Sequence, residues 1–277
     1  MDKIQMELFE QLTGLHEIPA GAYNIRANSK KDSRNTTANI DIVTKEDKDG
    51  IDIYVKPGTK NESVHIPVVI SKTGLEECVY NDFHIGEGAD VLIVAGCGIH
   101  NSGDKLSRHD GIHTFYIGKN ARVKYVEKHY GKGDGNGENV MNPTTIVNIE
   151  EGGYMEMETV QIKGIDSTNR VTKGKLDKDA KIVITERIMT HGNQTATTRF
   201  EVDMDGDGSS ANVISRSVAR DNAKISAIPE ITANDLDASL IHEAAIGKIA
   251  GEQLIKLQTL GLTEAEAEEQ IVNGFLK

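Results

Sequence analysis

The sequence contains no tryptophan, and only 5 phenylalanines and 7 tyrosines among its 277 residues. So few large rings cannot fill a sizeable interior, and the packing falls to valine, isoleucine, leucine and alanine, as in regular layered cores. Cysteine is equally scarce. Two residues, Cys78 and Cys97, cannot build a disulfide framework, and in a reducing compartment each reads as a free thiol. Positive charge is in deficit, with 31 Lys and Arg against 43 Asp and Glu. The net charge of −12 argues against a general nucleic-acid binder, which needs a clustered basic surface to meet phosphates. No apolar run reaches the roughly 18 residues required to span a bilayer. The start, Met1 to Glu7, has neither the basic region nor the apolar stretch of a secretion signal. The expected location is therefore cytoplasmic, and the glycosylation-like triplets Asn35-Thr36-Thr37 and Asn193-Gln194-Thr195 carry little meaning.

What is present is alternation. The segment Asp2 to Leu15 sets Ile4, Leu8, Leu12 and Leu15 at helical spacing, and Pro19-Ala20-Gly21 punctuates it. From about Thr37 the period becomes two. Ile40 to Val43 and Ile51 to Val55 read as strands around an Asp49-Gly50 turn, and Val64 to Ile70 and Val91 to Val94 follow.

A repeat then emerges. Ile85-Gly-Glu-Gly-Ala-Asp-Val91 resembles Ile117-Gly-Lys-Asn-Ala-Arg-Val123, and related copies begin at Ile149, Leu176 and, more faintly, Met204. Each copy is an apolar residue, a polar turn, a small residue and a new alternating strand. A period of roughly 30 residues without intervening helices points to a stacked β-solenoid. A β-sandwich would place its strands about 8–12 residues apart. The C-terminal stretch reads as helical, with Ile249, Leu254, Ile255 and Leu257 on one segment. Gly261 suits the position after a helix end, and Thr263 and Glu266 form a capping box for a second helix. The division is therefore 1–36, an N-terminal helix and lead-in segment; 37–230, a β-solenoid core; and 231–277, a helical subdomain.

Several familiar motifs fail. Asp203 to Gly208 starts like a calcium loop, but its twelfth position is Ile214 rather than the bidentate Glu. Gly131 to Gly137 is glycine-rich without a closing Lys-Ser/Thr and reads as a flexible loop. His242-Glu243 has no second His four residues on, and no Gly-x-Ser-x-Gly elbow occurs. The remaining vocabulary is that of soft metals. Cys97 sits between two glycines with His100 close by, His109 and His113 follow, and His242 and Glu243 precede the C-terminal helices. Thiolate and imidazole are the ligands iron–sulfur chemistry uses. Each also has a plain structural reading, as a small core residue or a hydrogen-bonded histidine.

These residues resemble the SufB/SufD family of iron–sulfur cluster assembly proteins, in a short form partnered with a SufC-type ATPase. The resemblance covers nearly the whole chain. It is carried by Gly21 to Arg26, Val94 to Gly103, His109 to Phe115, Val123 to Gly131 and Ser215 to Ala219. Its most specific part is the C-terminal series His242 to Ile249, Gly251 to Leu254, Gly261 to Thr263 and Gly274 to Leu276.

The resemblance implies a mainly β fold, a right-handed parallel β-helix with a short N-terminal helix and a C-terminal helical subdomain. It implies a partnership with a SufC-type ABC ATPase docked on the C-terminal helices, where Ile249, Leu254, Leu257 and Leu262 are the apolar candidates. It also implies a homodimer or a SufB/SufD-like pairing, and no nucleotide bound by this chain itself. An iron–sulfur cluster would be assembled transiently rather than used. Cys97 matches the position linked to sulfur handling, and His242 and Glu243 match the pair linked to cluster or metal binding, with His100, His109 and His113 as weaker candidates. No bond-breaking site is required, so the protein is not expected to be an enzyme.

The sequence departs from the family in one place. Related short forms carry about one further coil, including a Cys-Asp pair, after the Ser215-Arg216-Ser217 motif, whereas here Lys224 runs straight into Ile225. That departure favours a structural, SufD-like role. The alternatives are a platform for the ATPase that binds no cluster and, more remotely, a carbohydrate-active β-helix enzyme, since solenoids host both binding and catalysis.

Overall fold

A computed structural model describes residues 1–161, 163–248, 251–264, 266, 267, 270, 271 and 274. The chain opens with α1 (Lys3–Thr13), β1 (Ala22–Ala27), β2 (Lys30–Asn35), β3 (Ile40–Thr44), β4 (Gly50–Val55) and β5 (Lys60–Ile70). The body continues through β6 (Glu76–Ile85), β7 (Asp90–His100), β8 (Ser107–Ile117), β9 (Arg122–Lys132), β10 (Asn139–Met141), β11 (Thr144–Ile149) and β12 (Tyr154–Gln161). It ends with β13 (Ser167–Leu176), β14 (Lys181–Thr190), β15 (Thr195–Met204), β16 (Ser210–Ala219), β17 (Lys224–Ala233), β18 (Ser239–Lys248) and α2 (Gly251–Thr259). Successive strands fall alternately into two sheets, one ordered β18-β16-β14-β12-β9-β7-β5-β1-β2 and the other β17-β15-β13-β10-β8-β6-β4-β3, with β11 beside β10. All pairings within the body are parallel, giving a β-solenoid of about 7 turns.

The sequence repeat is the corner of each coil. Gly88, Asn120, Gly152, Asp179 and Gly208 all have positive φ, between 54° and 68°. That left-handed turn is open to Gly and tolerated by Asn and Asp, which is why the fourth residue of the copies at Ile85, Ile117, Ile149 and Leu176 is Gly, Asn or Asp. The following Ala89, Ala121, Gly153, Ala180 or Ser209 closes the turn with a hydrogen bond to the residue three back. The corners also bond to one another: Gly88 N–H donates to Lys119, Asn120 to Glu151, Gly152 to Lys178 and Asp179 to Asp207. A small residue at each corner lets this ladder close.

Between the sheets, Ile, Val, Ala and Met rows run along the axis, joined by the stacked Phe83–Phe115 pair with centroids 4.3 Å apart. The N-terminal end is closed. Strands β2 and β3 turn antiparallel against β1 and β4, and α1 lies on the outer face of β5 and β7, burying Leu8, Phe9 and Leu12 against Ile25 and Val69. Asp2 caps α1 in a capping box with Gln5. Gly98 of β7 leaves room for this helix, since a Cβ there would stand 3.2 Å from Leu8. Among the described residues no helix is long and apolar enough to cross a membrane.

Three expectations are redrawn. The sheets begin at β1, before residue 37, and continue through β18, beyond residue 230. The segment Ser239–Lys248 keeps the strand period, with Leu240, His242, Ala244 and Ile246 in register with Ala211, Val213, Ser215 and Ser217, and among the described residues α2 follows at Gly251–Thr259. The Gly131–Gly137 stretch is a packed layer rather than a free loop. A Cβ on Gly131, Gly133, Gly135 or Gly137 would run into the backbone of Gly164, Asn101, Gly103 or Lys105, and the Asn101 side chain bonds the carbonyls of Lys105 and Gly137.

Candidate functional site in the solenoid interior

The interior is divided lengthwise. Beside the apolar rows lies a row of charged and hydroxyl side chains that the same strand alternation directs inward. In the first sheet, Glu127, Thr159, Glu186, Ser215 and Ala244 stand in register on neighbouring strands, and next to them run Cys97, His129, Gln161, Ile188, Ser217 and Ile246. From the second sheet, Glu77, His109, Asn81, His113 and Arg170 face them. All five of these, and both rows as far as Ser215 and Ser217, have buried side chains.

Arg170 is the hub. Its guanidinium donates to Glu127 at 2.6 Å, pairs with Glu186 at 3.3 Å and reaches His129 Nδ1 at 3.2 Å. Burial works against the charge on Glu127, but Arg170 and His129 outweigh it and hold that carboxylate well below its ordinary range. On Glu186 burial wins and pushes the carboxyl up, against the pull of Arg170, Thr198 and Ser215.

The hydrogen bonds also fix each imidazole. Tyr125 O–H donates to Glu127 at 3.0 Å, so it accepts from His113 Nδ1–H at 2.7 Å. His113 Nε2 is then a lone pair, facing Asn81 at 3.3 Å. His109 Nδ1 bonds Glu77 at 2.9 Å and leaves Nε2 free. His129 accepts from Arg170 on Nδ1, so its proton is on Nε2, beside Glu127.

Cys97, His109, His113, Glu127 and His129 line one cavity of about 10 Å³, with Gly111 in its wall. Cys97 also belongs to a buried apolar cluster with Val68, Ile70, Ile99 and Met141. Burial, followed by the fields of Glu77 and Glu127, pushes its thiol well above the ordinary value.

Two groups make the interior acid-sensitive. Burial pulls His113 down to about 4, with His109, His129 and Arg170 adding to that and Glu127 opposing it. Glu77 lies at about 2, because the bond and charge of His109 and the Arg26 cation overcome burial. A histidine depressed in the fold stabilises it above its unfolded value of about 6.5 and loses that contribution as pH falls to about 4. Glu77 loses its own between about 4.5 and 2. Each shift corresponds to about 3 kcal/mol. Urea midpoints should therefore fall steadily from pH 6.5 downward, and His113→Gln should flatten the part above pH 4; an unchanged slope in that variant would refute the assignment.

The other expected site residues lie elsewhere. His100 is on the opposite face of β7 from Cys97, its Nδ1 buried without a partner. His242 continues the inner row of Tyr125, Met157, Ile184 and Val213 to the open end of the solenoid, where it is exposed. Glu243 points to the outer face, 3.9 Å from Arg216. Adjacent strand residues face opposite ways, so His242 and Glu243 cannot grip one ion within one chain. Five strand steps separate β7 from β18, about 24 Å at the usual spacing, so Cys97 is remote from both. Of the docking candidates, Leu254, Leu257 and Leu262 are half-buried, and Ile249 lies outside the described residues. Cys78 is exposed. The incomplete calcium loop ends in a turn where Asp207 meets Asp235 and Asp237, the only three such groups among the described residues with ligand atoms within 4.8 Å of one another.

Sequence reading missed Glu77, Tyr125, Glu127, His129, Arg170 and Glu186. The available signal was phase. In Ile182-Val183-Ile184-Thr185-Glu186-Arg187-Ile188, the glutamate occupies the isoleucine side of the alternation.

A family model described as SUF system FeS cluster assembly, SufBD core domain, matches residues 76–226 and 220–275. Its two matched segments overlap over residues 220–226. The chain is 27% identical over 264 residues to an iron–sulfur cluster assembly SufBD family protein of Archaeoglobus fulgidus, covering 84% of this chain and 69% of that one. It is 27% identical over 255 residues to one of Methanocaldococcus jannaschii, with 81% and 79% covered. A third, from Methanothermobacter thermautotrophicus, is 25% identical over 264 residues, with 82% and 62% covered. In this chain β17 stacks directly on β15, and the Asp221-Asn222 corner bonds Gly192 of the preceding coil. With most of its length matched by the core-domain model, the chain belongs to the SufBD family of iron–sulfur cluster assembly proteins.

Proposed function

We propose that this chain is a scaffold or scaffold-partner subunit on which iron–sulfur clusters are assembled with the help of a SufC-type ABC ATPase. The observation that carries the reading is the single interior thiol, Cys97, set among three histidines and a carboxylate around one cavity. A thiol kept protonated by burial and by neighbouring carboxylates is protected until a cation or sulfur donor reaches it. The protein then needs no bond-breaking site of its own and binds no nucleotide, the cluster being cargo. It works in the cytoplasm.

The open end supports a pairing role. Strands β17 and β18 are the last of their sheets, and Leu240, Ile241 and Ile246 are exposed there. An uncovered sheet edge with apolar side chains is a natural seat for a second copy or a SufB/SufD-like partner. His242 would face that partner. Beyond it, α2 carries Ile255 on an exposed face, with Leu260 just past its end, and offers the ATPase an apolar surface.

The alternative reading, a platform that binds no cluster, is favoured by the distance between Cys97 and His242 and by the missing coil. Anaerobic reconstitution with iron and sulfide separates the two. The scaffold reading predicts thiolate-to-iron charge-transfer absorption that Cys97→Ser reduces. A chain that takes up no iron is a platform.

A further inference from the structure

The chain has few aromatic residues, yet three rings stand in one file on its outer surface. Tyr54, His84 and Tyr116 are in register on β4, β6 and β8, on the outward phase of the second sheet. Their rings stack face to face, with centroids 4.7 and 5.1 Å apart and interplanar angles of 10° and 8°. Both tyrosines are still 45% exposed, so the file is not core packing. The next residue in register is Asn148 of β11, and the stack therefore ends at Tyr116. Beside the rings, the turn residues Pro57, Gly86 and Gly118 make a floor of bare backbone. A Cβ on either glycine would strike the coil before it. Wall and floor enclose a groove of about 450 Å³. Past Asn148 and Glu150 it runs into a second of about 390 Å³, lined by Lys175, Asp177 and Asp205. From β4 to β15 is five strand steps, about 24 Å at the usual spacing, which is the length of about seven extended residues.

The cations near this groove are engaged elsewhere. Lys56 Nζ donates to the Ala38 carbonyl, Lys119 pairs with Glu151 at 3.1 Å, and Lys175 pairs with Asp205 at 3.3 Å. Glu150 and Asp177 are exposed, and neither forms a salt bridge among the described residues. The Lys119 N–H donates to Glu150 Oε2 at 3.1 Å, which steadies that carboxylate at the end of the aromatic file. A guanidinium is planar and permanently charged, stacks on aromatic faces and pairs with carboxylates. We propose that the groove seats an extended basic segment of a partner protein, one arginine of which stacks on Tyr116 and pairs with Glu150, while a second basic residue meets Asp177. This surface is separate from the interior thiol and does not depend on the assembly reading. The floor N–H groups are already bonded within the solenoid, Gly86 to Val55, Gly118 to Ile85 and Glu150 to Ile117. The segment therefore crosses the strands and is held by its side chains, rather than adding a strand to a sheet. A run of sugars fits less well, because the stack shows ring edges and one free face instead of a row of faces. Glu150 and Asp177 would repel a polyanion such as nucleic acid.

The test probes an array of random heptapeptides with the full chain and then measures the best binders by fluorescence anisotropy. The retained peptides should carry an arginine and a second basic residue, and should lack Asp and Glu. Glu150→Gln should weaken their binding about tenfold or more. Tyr116→Leu should erase the preference for arginine over lysine, and Asp177→Asn should weaken chiefly the peptides with two basic residues. Glu156→Gln, on the outer face of the other sheet, should change nothing. The Glu150 and Asp177 variants alter exposed side chains and should melt like wild type, so they decide the matter even if Tyr116→Leu does not fold. An array that retains no peptide, binders without a basic preference, or binding indifferent to Glu150→Gln overturns the proposal. So does displacement of the peptides by maltohexaose or hexagalacturonate, which would make the groove a sugar site.

Discussion

Replacing Arg170 with methionine is expected to cost about 3–5 kcal/mol of folding stability, the usual consequence of removing one member of a buried ionic group. The side chain is 1% exposed and is shared by two carboxylates that are themselves buried. Without it, Glu127 keeps Tyr125, His129 and, at 3.9 Å, His113, and Glu186 keeps Thr198 and Ser215. Neither set offers a fixed positive charge. Both carboxyls should then bind protons in the fold more readily than in the unfolded chain. Groups raised in this way stabilise the fold at low pH and lose that contribution as pH climbs. The variant's deficit should therefore be smaller near pH 5 than near pH 8. Adding Glu127→Gln and Glu186→Gln should restore much of the stability, because neutral partners no longer need the cation. Urea unfolding of the three proteins tests this, and a loss below about 1 kcal/mol for Arg170→Met would show that the interior charges are not held as described.

If the proposed SufC-type ATPase docks on the C-terminal helices, truncation after Ile246 is expected to abolish copurification with it. The cut removes α2 and the capped turn that follows, where Thr263 and Glu266 exchange hydrogen bonds, yet it leaves all but the last two residues of β18. The solenoid ahead of it should keep its melting temperature, since each coil is supported chiefly by its neighbours. Leu257→Asp in the full chain should weaken capture about tenfold or more, the effect of placing a charge in an apolar contact. ATPase binding retained by the truncated chain would move the docking surface onto the solenoid.

The repeat made the fold legible. An apolar residue, a turn with Gly, Asn or Asp, a small residue and an alternating strand describe the corner at Gly88, Asn120, Gly152 and Asp179 as it stands. The C-terminal boundary was not legible, because Leu240, His242, Ala244 and Ile246 obey the strand period while the next apolar residues obey the helical one, and Gly247 and Gly251 mark the change too closely together to say on which side of it each lies. Cys97 and its neighbours His109 and His113 could be picked out by residue type, but their meeting depends on strands from two sheets facing across the interior. Arg170 shares the inward phase of Leu176 on β13, but nothing local names its partners. It is one arginine among hydroxyl residues in Thr168 to Thr172, and only the stacking of β13 between its neighbours places it against Glu127 and Glu186. His242 and Glu243 are adjacent in sequence, which suggests a shared site, but the strand that carries them turns them to opposite faces.

The central claim is that the interior thiol of this SufBD family chain takes part in cluster assembly. Its most direct test is the iron and acid-labile sulfide content of the full-length protein isolated anaerobically after coexpression with the proposed SufC-type ATPase, wild type beside Cys97→Ser. The account predicts iron and sulfide together on the wild type and their loss in the variant, with the ATPase still bound to both. Equal iron and sulfide on the two proteins would contradict it.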